Sequence, residues 1–113
     1  MALAHGVCVA VEEAPPGAWP GGREARKSAV SVASLIGEAL LEARGDEVGA
    51  RLADAVSRLA DVRRRLDEPG FADAVPEQDR VAVLADAQLL AEDLAAALAL
   101  GRTPGRGPLP PAG

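Results

Sequence analysis

His5 and Cys8 are spaced H-x-x-C, half of a zinc-binding pattern. A closed zinc site needs four ligands, and the chain has one His and one Cys in total. A metal would have to be shared between molecules, so neither a metal nor another cofactor is expected. The same scarcity removes Ser-His and Cys-His nucleophile pairs. It also removes a di-iron centre, which requires Glu-x-x-His motifs on bundle helices.

Carboxylates are the remaining chemistry. Asp79, Asp86 and Asp93 stand seven residues apart and so stripe one face of a helix. Acid–base work would need such a group in a dry pocket, and the surrounding sequence builds none. The stripe therefore reads as a solvated face or as a docking strip for a basic partner. No catalytic residue is assigned, and an enzyme is not expected. Arg63–Arg65 is the one basic run, flanked by Asp61, Asp67 and Glu68. Together with Arg58 it is the patch on which a DNA-associated regulator would depend. No glycine-rich loop follows a strand, so there is no phosphate cradle.

Charge and composition narrow the class. The net charge is −5, and it sits between Arg23 and Gly101, because Glu12 and Glu13 cancel Arg102 and Arg106. An acidic fold lacks the electrostatic footprint for a phosphate backbone, so nucleic acid is not the first expected partner. A lone cysteine forms no intrachain disulfide and fits a reducing compartment such as the cytoplasm. No basic segment precedes an apolar run of signal-peptide length. With one Trp, one Phe and no Tyr, the core must be aliphatic and Ala-rich. A single core of this size gives a small net stability, so support from an oligomer or partner is expected.

The element that dominates the chain is Val81–Leu100, interrupted only by Asp86, Gln88, Glu92 and Asp93. Its length suits a helix of about 30 Å. Val83, Leu84, Leu90, Leu94 and Leu98 recur with helical rather than alternating period. The apolar arc is wider than a surface helix needs, which predicts burial on more than one side. Acids inside the segment each cost about 2.5–3.5 kcal/mol at a bilayer centre, so it is not read as a membrane span.

Upstream, residues 23–44 form a predicted helix with Ala29, Val32, Ala33, Ile36, Ala39, Leu40 and Ala43 on its inner face. Gly45 stops it, and Asp46 caps a second helix over 46–67. There Leu52, Leu59 and Leu66, with Ala55 and Val62, form a two-heptad seam. Glu47/Arg51, Asp54/Arg58 and Asp61/Arg65 are potential i,i+4 pairs on its outer face. Pro69-Gly70 ends it. Phe71–Val75 is a connector, with Phe71 plugging the bundle end, and Pro76 opens a third helix over 76–100.

Residues 1–22 are expected to be a flexible arm and linker. Val7–Val11 is β-prone with no partner strand, and Pro15, Pro16, Gly17, Pro20, Gly21 and Gly22 follow it. Trp19-Pro20-Gly21 spells the W-x-G tripeptide of small secreted helical-hairpin proteins, where it lies in the turn between two helices. Here it precedes all three predicted helices and contains proline, so no family is assigned on it. Residues 102–113 read as a disordered tail, in which Pro108 and Pro111 have polyproline-ligand spacing.

The sequence thus predicts an all-α, antiparallel three-helix bundle over residues 23–101 with mobile ends. Its expected role is a non-enzymatic protein–protein interaction or regulatory module, with a protein partner or a second copy of itself (a homo-oligomer). Leu90, Leu94, Leu98, Asp79, Asp86 and Asp93 form the candidate interface.

Overall fold

The computed structural model describes residues 1–41 and 45–102. The described residues form five helices: α1 Ala2–Glu13, α2 Gly22–Leu41, α3 Gly45–Leu66, α4 Pro69–Ala74 and α5 Glu77–Arg102. The described residues are all-α, as predicted. The helix count is five rather than three. The predicted tail from residue 103 and the predicted core position Ala43 lie outside the described residues.

The main correction is at the N-terminus. The segment predicted to be a flexible arm is helix α1, and Leu3, Val7 and Ala10 on one of its faces are buried. Their i, i+4, i+7 spacing is that of an amphipathic helix. β-Branched Val7, Val9 and Val11 lower helix propensity only slightly, and burial of the inner face outweighs that term. Ala14 leaves the helix in an extended conformation (φ −69°, ψ 141°), as the residue before a proline must. Trp19-Pro20-Gly21 consequently lies in the turn between α1 and α2, not ahead of every helix.

The long helices run antiparallel to their neighbours. Ser28 meets Asp61 and Glu38 meets Arg51, so α2 and α3 form an antiparallel hairpin. Arg63 meets Gln88 at one end of the α3–α5 contact, and Val56 shares a groove with Leu98 and Ala99 at the other. Helix α3 packs on α2 and α5 from one side, and α1 packs on the same two helices from the other. Gly6 permits the second contact, since a Cβ there would lie 3.1 Å from Val83 Cγ2.

One hydrophobic cluster joins all five helices. The predicted seam of α3 is its spine, with Ala55, Leu59, Val62 and Leu66 buried. Phe71 of α4 plugs the end as predicted, its ring 4.9 Å from that of buried Trp19. Arg80 reaches back to the carbonyls of Ala72 and Val75, which supplies donors to the end of α4. Leu40, predicted to face inward, is almost fully exposed, as is Leu41. Helix α1 has 12 residues against 20 in α2, about 18 Å against 30 Å. It cannot cover α2 along its whole length.

Candidate functional site

Helix α5 positions the candidate residues. Its inner side carries Val83, Ala87 and Leu94, all buried in the shared cluster. Apolar residues continue round to the outer side. Val81 is 59% exposed, Leu84 43%, Leu89 59% and Leu100 74%, with the exposed alanines Ala82, Ala85, Ala95, Ala96 and Ala99 among them. The chain's other helices cover one side only.

The predicted interface residues divide accordingly. Leu94 is 4% exposed and belongs to the chain's own core. Leu90 packs half-buried against that core, and Leu98 is half-buried in the groove beside α3. The leucines exposed on α5 are instead Leu84, Leu89 and Leu100. A helix whose apolar residues spread beyond one face gives the sequence reader no sharp inner and outer side. The distinction depends on where α1 and α3 dock.

Asp79, Asp86 and Asp93 do share one stripe, the first two half-buried and the third exposed. Two grooves flank α5. The groove against α1 has a volume of about 160 Å³ and places His5, Asp79 and Asp86 around a floor that includes Gly6 and Val83. The groove against α3 is about 320 Å³ and mostly apolar, lined by Val56, Ala60, Ala91, Ala95 and Leu98, with Arg63 at its side.

A further hollow, about 590 Å³, opens between α2 and α3 and includes Ser31, Ser34, Asp54, Ser57, Arg58 and Asp61. Asp61 on its wall is a structural carboxylate. Buried Ser28 donates a hydrogen bond of 2.7 Å from its Oγ to Asp61 Oδ2, and Arg64 donates to Asp61 Oδ1. The Ser28 hydroxyl first, then Arg64, hold the Asp61 carboxyl below the usual carboxylate range. That direction keeps it ionised and unsuited to act as an acid. Sequence reading paired Asp61 with Arg65, which lies at 3.9 Å, and missed Ser28. A serine among small helix residues carries no signal of a partner 33 residues away.

The sign of the linkage follows. A depressed folded-state pKa gives stability that is complete above the unfolded value near 3.9 and is lost as pH falls through the folded value. Asp61→Asn should cost about 1 kcal/mol at pH 7, discounted for partial exposure. Wild type should then converge on the variant as pH falls through the depressed folded-state value. Urea melts at several pH values check both statements, and a pH-independent gap would contradict them.

The basic run is largely neutralised. Arg64 pairs with Asp61, Arg65 with Glu68, and Arg63 donates to Gln88. His5 and Cys8 lie on α1, and no group of three or more His, Cys, Asp or Glu side chains among the described residues could hold a metal. No helix among the described residues is long and apolar enough to cross a membrane. Comparison of the chain with protein-family models, with curated proteins and with solved structures finds no match.

Proposed function

We propose that this chain is a non-enzymatic helical interaction or regulatory module whose working surface is the outer face of α5, turned to a protein partner or to a second copy. One observation carries the reading. The longest helix among the described residues is packed on one side and leaves Val81, Leu84, Leu89 and Leu100 exposed. A monomer's largest apolar patch is often its functional one. The alternative, a DNA-associated regulator using Arg58 and Arg63–Arg65, loses support because Arg64 and Arg65 are engaged by carboxylates of the same chain.

Two measurements test it. Sedimentation equilibrium of the full chain over a wide concentration range reads self-association. A photo-crosslinking residue at position 89, compared with one at position 58 on α3, reads a foreign partner in the native cell. Self-association abolished by Leu89→Lys, or adducts specific to position 89, are the expected results. Leu89→Lys should leave the thermal melt within about 0.5 kcal/mol of wild type, as exposed positions do. Leu94→Ala in the core should cost about 2–5 kcal/mol. A monomer at every concentration with equal crosslinking at both positions would overturn the proposal.

A further inference from the structure

We infer that the outer face of α5 takes a cationic amphipathic helix from a partner protein; this rests on the reading of that face as an interaction surface. Two observations converge on it. The first is the apolar face left uncovered by the fold. The second is the charge beside it. Asp79, Asp86 and Asp93 are each followed three residues later by an exposed apolar residue, Ala82, Leu89 and Ala96. The pattern repeats every seven residues, so acids recur about every 10 Å over roughly 21 Å of helix. Heptad spacing is what keeps a second helix in register along a seam, and flanking charges select which helix it is.

The rail is uncompensated. Asp79, Asp86 and Asp93 have no hydrogen-bond or ion-pair partner among the described residues, whereas Glu38, Asp61 and Glu68 are each engaged by an arginine. No basic residue occurs on α5 between Val81 and Gly101, and Arg80 is turned to the carbonyls of Ala72 and Val75. His5 is the one basic group in the groove that holds Asp79 and Asp86. That groove, about 160 Å³, is of the size that accepts a benzene-sized apolar group. An anchor side chain of the docked helix fits there.

The charge also selects against other occupants. Two copies related by a two-fold axis with antiparallel α5 helices set rail against rail. With parallel helices, each rail meets a flank of the other α5 that has no cation. The net charge of −5 opposes both. Nucleic acids and anionic membranes are repelled by the same field. A helix with leucines on one stripe and lysines or arginines beside it satisfies both features, by the helix-in-groove mode.

The test is calorimetric titration of the full chain with a synthetic 21-residue helical peptide. It carries leucine at the a and d positions and lysine beside them. A matched peptide has glutamate in place of lysine. The lysine peptide should bind with a micromolar Kd, weakening several-fold when salt is raised, because exposed pairs are screened. The triple variant Asp79→Asn/Asp86→Asn/Asp93→Asn should lose at least about tenfold in affinity. A charge-matched control, Asp54→Asn/Asp67→Asn/Asp73→Asn, should lose little. Equal loss in both triples, or equal binding of the two peptides, would overturn the inference by reducing it to net charge or to apolar contact alone. If the lysine peptide fails while position-89 adducts or Leu89-dependent self-association persist, the charge inference falls and the interaction reading stands. If none is observed, both fall.

Discussion

Replacing Trp19 by alanine is expected to lower the unfolding free energy by about 3–5 kcal/mol, the range for deleting a buried large aromatic side chain. A domain of this size has about 5–15 kcal/mol in total, so the loss is a large share of the whole. The melting temperature should fall by more than about 10 °C. Trp19 is 6% exposed and stacks at a tilt of 50° on Phe71, which is 2% exposed. Such pairs add about 0.5–1.5 kcal/mol beyond area burial. The walls are close. A Cβ on Gly70 would lie 3.1 Å from Trp19 Cα and from the Ala18 carbonyl oxygen, and one on Gly22 would lie 3.0 Å from the ring. Backbone on two sides cannot collapse into the space left by alanine. The indole Nε1 is buried without a hydrogen-bond partner, and an orphaned donor is unfavourable. Trp19→Phe removes that donor along with some volume, so it should fall well short of the alanine effect. Thermal and urea melts of both variants decide the matter. An alanine variant within about 1 kcal/mol of wild type would mean that the ring does not pack where it is placed.

The same tryptophan shows how far the sequence could be read. Local signals located α2, α3 and α5 to within a few residues, because each has a full apolar stripe and clear breakers at its ends. The seam Ala55, Leu59, Val62, Leu66 and the plug Phe71 were legible for the same reason. Helix α1 was not. Leu3, Val7 and Ala10 have the right spacing, yet three valines within five residues suggest a strand when no partner surface is known. Tertiary packing outweighs such a propensity. The fate of Leu90, Leu94 and Leu98 was hidden differently. On a helix whose leucines occupy more than one face, the sequence cannot say which of them the chain keeps for itself. The answer depends on α1, whose docking covers one flank of α5 and leaves the next uncovered. The aspartate stripe was legible as a stripe, since periodicity alone defines it. Its lack of partners became visible only once Arg63, Arg64, Arg65 and Arg80 were seen to be engaged elsewhere.

Removal of α1 should have a larger effect than any single substitution. In a chain beginning at Ala14, with an initiating methionine, the core loses Leu3 and Val7, which are 1% and 0% exposed. Each buried aliphatic side chain is worth about 1.5–3 kcal/mol. The loss is also felt on the other side of the contact. Val83 of α5, against which Gly6 of α1 sits, belongs to the same cluster and loses that cover once α1 is gone. The combined penalty approaches the total stability of a small domain. The shortened chain should therefore lose its cooperative thermal transition or unfold at least about 20 °C lower, as followed by circular dichroism. Unchanged melting would show that α1 is not part of the core. The experiment also bears on the α5 face. Without α1, the floor of the acidic groove at Gly6 is gone and Val83 is bare, so apolar surface on α5 grows while the aspartate rail stays in place. A shortened chain that remains folded should then self-associate more strongly than the full chain, yet lose affinity for the lysine peptide, because the anchor groove needs both helices while the charges need only one. Gain of one activity with loss of the other would separate what α5 does as an apolar surface from what the α1–α5 pair does as a shaped one.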